Sequence, residues 1–460
     1  MDDLDRLAAG QQHRVLGIST LAFTVCFAVW TIFSIIGVRI KQDLGLNDTQ
    51  FGLLVATPIL TGSLSRIFLG IWTDQYGGRL VFTLLMLAAA VATWLLSTVT
   101  TYPMFLLAAL GVGLAGGSFA VGIAYVSRWY PKERQGTALG IFGVGNVGAA
   151  VTKFVAPFVM VAFGWTTVAQ LWAAALVVMA LVFWFTTEDD PVTAARRRTG
   201  KRPRSALLQL TPLKKLQVWR FSLYYFFVFG AFVALALWLP RYYVGAYGLD
   251  IKAAGMLGAL YSLPASLFRA YGGWLSDRYG ARRIMYWTFG VSLVCTFVLS
   301  YPATDYVVHG IEGPIPFTLA IGLVPFTILT FVLGFVMSLG KAAVYKHVPA
   351  YYPDHVGAVG GLVGMIGGLG GFILPIAFGL MNDLTGVWTS CFMLLFALVG
   401  TALLWMHLAI RRMERAKLPE LETLPELPEM VDLHPPARTG GTRMASRHGA
   451  PALAQPQRAT

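Results

Sequence analysis

Two arginines interrupt long apolar stretches of the sequence, and they suggest the chemistry of the protein. Arg66 and Arg269 each lie eight residues before an aspartate, Asp74 and Asp277, at the end of the stretch. At the rise of an α-helix, this is about 12 Å into a bilayer core whose half thickness is about 15 Å. An arginine at that depth costs roughly 2.5 to 3.5 kcal/mol, so each one needs a partner or a water-filled cavity.

No apolar stretch contains a carboxylate that could neutralise these arginines, because every Asp and Glu falls in a loop, a helix end, a terminus or the linker. The pair therefore predicts binding of an anion from outside. The alternative is a structural role in which backbone carbonyls satisfy each guanidinium. Because the guanidinium is a planar fork, it favours a small planar oxyanion. Asn146, about 14 Å into another apolar stretch, would add a neutral amide donor.

The elements that must position these side chains are membrane spans. Of the 460 residues, 56% are hydrophobic and only 12% are charged, whereas soluble chains approach a quarter charged. A helical span needs about 20 apolar residues. The sequence therefore predicts an all-α membrane protein with twelve transmembrane helices, near 15–38, 51–72, 80–99, 104–126, 137–162, 168–185, 221–239, 253–274, 284–299, 325–348, 356–381 and 388–408.

The formal net charge of +13 could suggest nucleic-acid binding, but the placement of the basic residues indicates membrane topology instead. Basic residues gather in alternate loops, while loops such as 100–103 and 163–167 are nearly uncharged. By the positive-inside rule, both termini and the central linker are predicted to be cytoplasmic, in a cytoplasmic (inner) membrane. Cys26, Cys295 and Cys391 lie inside apolar runs without metal or disulfide spacing. We expect no metal and no cofactor.

The chain divides into two halves that repeat. Residues 64–79 match residues 267–282 at a constant offset of 203. Two six-helix halves related by duplication are typical of a transporter whose site lies at the repeat interface. The predicted organisation is an N-terminal half at 1–187, a basic cytoplasmic linker at 188–218, a C-terminal half at 219–410 and a disordered cytoplasmic tail at 411–460.

The break after the second span of each half resembles a signature of the major facilitator superfamily. The pattern Gly70-x-x-x-Asp74-x-x-Gly77-x-Arg79 recurs, with the same spacing, from Gly273 onward. An Asp at a helix end with an Arg across a tight glycine turn predicts an inter-helix latch that holds one access state. The alternative is a solvated loop whose charges set topology. The predicted latch residues are Asp74, Arg79, Asp277, Arg278 and Arg282.

Two glycine-rich stretches, at 116–148 and at 364–372, resemble the signatures of the nitrate/nitrite porter family. The resemblance covers about residues 15–410. It implies the major facilitator fold and transport of nitrate, with nitrite as a second candidate. The aromatic residues that it adds would otherwise be ordinary core or lipid-facing positions. It implies that the site comprises the clamping Arg66 and Arg269, the fifth-span Asn146, and the aromatic Tyr225, Phe229 and Phe119.

Two lysines bear on how transport is coupled. Lys153 lies seven residues beyond Asn146, on nearly the same helix face, and Lys341 matches Phe119 in the repeat. Both are predicted to add positive potential to the anion path, although Lys153 could instead snorkel to the interface. The stretches 140–154 and 340–347 resemble the nitrate/proton symport branch more than the nitrate/nitrite exchange branch. Symport is thus our main expectation, with Lys341 and then Lys153 as proton carriers.

The alternatives are nitrate/nitrite exchange and transport of another small anion. A membrane anion sensor is disfavoured because neither the linker nor the tail resembles a folded output domain. An enzyme is disfavoured because no nucleophile, base or metal constellation appears at membrane depth. The predicted partners are the small anion, the lipid bilayer and protons, without nucleic acid.

Overall fold

A computed structural model describes residues 2–130, 132–191, 193–195, 215–351 and 356–417. The predicted linker between 196 and 214 and the predicted tail from 418 onward lie outside the described residues. Where it is described, the chain forms long helical segments, which we number α1 to α12.

The first six helical segments lie before residue 187. Short 3-10 turns, Gly113–Gly117 and Val144–Val147, interrupt the fourth and the fifth of them. The segments are α1 (Asp2–Trp30 and Phe33–Leu44), α2 (Asp48–Tyr76), α3 (Gly78–Leu96), α4 (Tyr102–Val112 and Ser118–Ser127), α5 (Lys132–Gly143 and Gly148–Phe163) and α6 (Trp165–Thr186).

The last six helical segments follow the linker. A π-turn, Phe226–Ala231, interrupts the first of them, and the second bends by 42° between its two pieces. The segments are α7 (Leu216–Tyr225 and Phe232–Tyr247), α8 (Ile251–Leu267 and Arg269–Tyr279), α9 (Ala281–Leu299), α10 (Leu323–Tyr351), α11 (Val356–Thr385) and α12 (Ser390–Lys417).

Among the residues that the structure describes, nine helices are long and apolar enough to cross a bilayer, or ten if the bent α8 is one span. Together with α2 and α9, these make twelve helical segments at the predicted positions. The helices extend beyond the apolar runs, because the helical conformation continues into polar flanks that hydropathy does not count. In particular, α12 continues to Lys417, so the predicted tail does not begin at 411.

A β-hairpin departs from the all-helical prediction. Strand β1 (Thr304–Gly310) pairs antiparallel with β2 (Gly313–Leu319) between α9 and α10. Gly313 adopts a φ of 135°, a conformation that glycine allows at the turn. The paired segments are rich in β-branched and aromatic residues, which favour strands. A search for long apolar runs passes over such short segments.

Glycines bring the two groups of six helices together. In α2, a Cβ on Gly52 would overlap the carbonyl oxygen of Pro375 in α11, and Gly379 passes equally close to the backbone of Asp48. Where α5 meets α8, Gly255 stands against the carbonyl oxygen of Lys153. Small residues let helix backbones approach in this way in membranes. The interface between the halves therefore runs along α2 with α11 and along α5 with α8.

A polar network joins the halves at the end opposite the described chain termini. The buried carboxylate of Asp48, at the start of α2, accepts from Lys41 at 3.2 Å and from Arg241 of α7 at 3.3 Å. Asp383 of α11 accepts from the backbone N–H groups of Asp48 and Thr49, at 3.0 and 2.7 Å. A carboxylate of the second half thus caps a helix of the first, where the helix dipole favours negative charge.

Candidate functional site

Arg66 lies inside α2, is 7% exposed, and is surrounded by aromatic rings. Its guanidinium carbon is 5.3 Å from the ring centroid of Phe119 and 5.7 Å from those of Trp30 and Phe229. Nη1 donates to the carbonyl oxygen of Gly364 in α11 at 3.2 Å. A backbone carbonyl thus satisfies Nη1 of this guanidinium, as a purely structural role would require. The buried Nε has no hydrogen-bond partner within the described ranges, so the guanidinium keeps a donor for a ligand.

Arg269 reaches the same ring from the other half. It begins the second piece of α8, just after the bend, and Pro264 one turn earlier removes a helical hydrogen bond there. Its guanidinium carbon is 5.8 Å from the ring centroid of Phe119 and 5.9 Å from that of Tyr345. A Cβ on Gly143 of α5 would lie 3.4 Å from its Nη1, an atom that is buried without a partner among the described residues.

Asn146 lies in the 3-10 turn of α5, three residues after the glycine that faces Arg269. It is buried, and neither its amide nitrogen nor its amide oxygen has a partner in the described part of the chain. Glycines allow this turn, because a side chain at Gly145 would overlap Phe23 and one at Gly148 would overlap the backbone of Thr24. An unpaired buried amide is costly. The amide is therefore available to a bound ligand or to water.

The π-turn of α7 presents two stacked aromatic rings. The rings of Tyr225 and Phe229 are 5.1 Å apart with an interplanar angle of 10°, and Tyr225 meets the ring of Tyr345 edge-on at 5.0 Å. The hydroxyl of Tyr225 is buried and has no partner among the described residues. Single π-turns inside helices are frequent at functional sites. Phe119, Phe229 and Tyr225 thus form one cluster with the two arginines. Asn146 lies three residues from Gly143, which faces Arg269.

The two predicted lysines are buried. Lys341 Nζ donates to the carbonyl oxygen of Ala265 at 2.9 Å and stands 3.2 Å from the ring centroid of Phe232. It is also 5.9 Å from the ring centroid of Phe229, which contacts Arg66 on its other side. Lys153 Nζ donates to Ala149 of its own helix at 2.9 Å. Lys341 borders the aromatic cluster, whereas Lys153 packs between α5 and α8.

Trp30 and Tyr345 join this cluster although the sequence analysis did not select them. Trp30 is fully buried, and its indole N–H donates to the carbonyl oxygen of Pro58 at 2.8 Å, which fixes the ring beside Arg66. Tyr345 lies in the stretch 340–347, whose resemblance to the family could have indicated it. Trp30 lies in an apolar run that has no such resemblance. No three His, Cys, Asp or Glu side chains group as metal ligands in the described ranges.

Two of the predicted latch residues, Asp277 and Arg79, have partners that the sequence did not predict. The carboxylate of Asp277 accepts from Lys346 of α10 at 2.8 Å. Arg79 donates to the carbonyl oxygen of Trp184 in α6, at 2.6 Å from Nη2. The side chain of Asp74 lies outside the described residues. The sequence did not predict Lys346 as a partner of Asp277, because the two residues are far apart in the chain. The latch itself stays a prediction.

Arg278 and Arg282 complete the predicted latch set at the end of α8 and the start of α9. The guanidinium carbon of Arg278 lies 5.4 Å from the ring centroid of Trp274 and 5.6 Å from that of Tyr279. Arg282 is half-buried. Arg278 is thus held by its own helix.

A latch at this end should act on the equilibrium between access states and not on the site. We expect Asp74→Asn and Asp277→Asn to slow turnover several-fold while the affinity for the transported anion stays within a few-fold. Lys346→Met should reproduce the effect of Asp277→Asn, because it removes the same ion pair. Asp305→Asn in the hairpin is the control. Steady-state uptake and equilibrium binding test this, and a large loss of affinity without loss of turnover would contradict it.

Twelve helical segments, with the buried Arg66 and the half-buried Arg269 approaching one aromatic ring from opposite halves, are the architecture of a membrane transporter. A family model described as Major Facilitator Superfamily matches residues 18–325. The chain is similar to the "Probable nitrate/nitrite antiporter NarK1" of Thermus thermophilus, with 47% identity over 87% of this chain and 92% of that protein. It is 31% identical to the "Nitrite extrusion protein" of Bacillus subtilis (strain 168), over 86% and 95% of the two chains.

The fold is also similar to a solved structure. A bacterial homolog of the human lysosomal transporter Spinster, in an inward-facing and occupied conformation, superposes with a TM-score of 0.66 at 17% identity, over 87% of this chain and 97% of that one. The chain belongs to the Major Facilitator Superfamily and, within it, to the nitrate/nitrite porter family. The predicted family is confirmed. The similar protein named an antiporter does not support the predicted symport branch.

Proposed function

We propose that this protein transports nitrate and nitrite by alternating access, with the anion held between Arg66 and Arg269. The observation that carries the proposal is the convergence of two guanidiniums, the buried Arg66 and the half-buried Arg269, from opposite halves on the ring of Phe119. Arg66 keeps a buried N–H without a partner among the described residues, and so does Arg269. Two cations at such a depth need an anion to offset their cost.

The shape of the donors favours a planar oxyanion. A guanidinium presents N–H groups in one plane, which match the oxygens of a planar anion in pairs. The amide of Asn146 and the hydroxyl of Tyr225 supply further neutral donors, and neither has a partner in the described part of the chain. The names of the two similar proteins, which refer to nitrate and nitrite, support this substrate class.

Exchange of nitrate for nitrite is the coupling that the comparisons favour. The protein with 47% identity is named an antiporter. In an exchanger the positive site must carry an anion in both directions, so no titrating group is required. Symport remains the second candidate, because Lys341 borders the cluster through Phe229 and could carry a proton. By the positive-inside rule we place the protein in the cytoplasmic membrane with both termini cytoplasmic.

Counterflow in proteoliposomes separates these mechanisms. For an exchanger, we expect internal nitrite to accelerate the entry of labelled nitrate, internal formate to be less effective, and a pH gradient to matter little. Lys341→Met should leave exchange intact, as should the control Lys252→Met near the start of α8. If instead an inward proton gradient drives accumulation without internal nitrite, and Lys341→Met abolishes that dependence, symport is correct. Accumulation that responds to neither condition would refute both mechanisms.

A further inference from the structure

A serine one turn before Arg66 has a buried hydroxyl without a partner among the described residues. Ser63 is fully buried, and its Oγ forms no hydrogen bond to any described residue. It precedes Arg66 by three positions in α2, and residues at this spacing lie on the same face of a helix. Because burying a hydroxyl without a hydrogen-bond partner costs free energy, this group is ready to donate to a ligand or to water.

The second half of the molecule provides an internal comparison. Ser266 stands three positions before Arg269, at the same offset of 203. Its hydroxyl donates to the carbonyl oxygen of Ser262 at 2.8 Å, within its own helix. A hydrogen bond to the carbonyl oxygen four residues earlier is a common way in which a serine hydroxyl within a helix finds a partner. The repeat therefore provides a spare hydroxyl donor beside Arg66 and not beside Arg269.

The hydroxyl of Ser63 faces the interface between the halves. A Cβ on Gly368 of α11 would lie 2.5 Å from Ser63 Oγ and 3.4 Å from Arg66 Nη1. The hydroxyl and the guanidinium thus border the same point of α11. Because residue 368 is glycine, no side chain at that position separates the two donors from each other or from a bound anion.

We propose that Ser63 donates a hydrogen bond to the anion held by Arg66 and favours nitrate over nitrite. This inference rests on the proposed function. Nitrite has two oxygens, and the two guanidiniums supply donors for both. Nitrate has a third oxygen in the same plane, and the spare hydroxyl one turn from Arg66 donates to it, in addition to the donors of Asn146 and Tyr225. Ser63 is therefore a specificity-determining residue of the first half.

The test compares Ser63→Ala with Ser266→Ala in proteoliposomes, with labelled nitrate and nitrite as alternative substrates. Both changes remove one buried hydroxyl at matched repeat positions. For Ser63→Ala, we expect the KM for nitrate to rise roughly three- to tenfold, the effect of one lost hydrogen bond. The KM for nitrite and the kcat for both anions should stay within about twofold. Ser266→Ala should change neither KM, because its hydroxyl bonds to its own helix.

Three outcomes would overturn the role of Ser63. One is an unchanged KM for nitrate in Ser63→Ala, and the second is an equal rise for nitrate and nitrite. The third is an equal effect of Ser266→Ala. Thermal unfolding without anion checks that the variants fold, and Ser63→Cys, which keeps a weak donor, should give an intermediate KM for nitrate. A wild type that transports neither anion would overturn the proposed function as well, whereas these three outcomes leave nitrate transport itself intact.

Discussion

Arg66→Lys and Arg269→Lys should each reduce nitrate uptake at least about tenfold, although the positive charge is retained. An ammonium group is a point donor on a flexible stem and cannot form the paired, coplanar hydrogen bonds of a guanidinium. Hydrogen bonds to charged groups contribute about 1.5 to 3 kcal/mol each. In addition, lysine at position 66 would lose the contacts with the rings of Trp30, Phe119 and Phe229. Uptake at equal membrane abundance is the measurement.

The control for this pair is Arg39→Lys. Arg39 forms an exposed ion pair with Asp43 within one helix, and such surface pairs contribute little. Its uptake should match the wild type. The variants of Arg66 and Arg269 should remain folded, which size-exclusion chromatography and thermal unfolding can check. Near wild-type uptake by either clamp variant would contradict a two-arginine clamp.

Gly52→Ala should have the second large effect. Its new Cβ would overlap the carbonyl oxygen of Pro375, which is backbone and cannot rotate away. Overpacking of this kind costs about 1 to 3 kcal/mol. It destabilises the conformation in which α2 and α11 are in close contact. We expect slower transport by roughly tenfold and a lower unfolding temperature.

Gly70→Ala provides the matched control in the same helix. A Cβ at Gly70 would meet nothing within 4 Å, and alanine is the better helix former. Uptake and unfolding temperature should therefore equal or exceed those of the wild type. If Gly52→Ala behaved as Gly70→Ala does, the close approach of α2 and α11 would not take part in transport.

The sequence alone was sufficient to predict the helices, their approximate ends and the position of Arg66 and Arg269 inside two of them. These predictions rest on local quantities. Apolar composition determines which segments enter a bilayer, and the cost of a charge at depth depends on its position within one segment. The repeat at an offset of 203 then related the two arginines to each other, since matched positions in two halves meet at their interface.

Only the tertiary structure determined what surrounds these residues. It joined Arg66 to Gly364, Asp277 to Lys346 and Lys341 to Ala265, none of which are neighbours in the chain. It also placed Trp30 and Tyr345 in the cluster and left Ser63 without a partner among the described residues while Ser266 bonded to its own helix. Hydropathy reports the average environment of a span. Contacts depend on where breaks, bends and glycines let distant helices meet, and that is a property of the packed bundle.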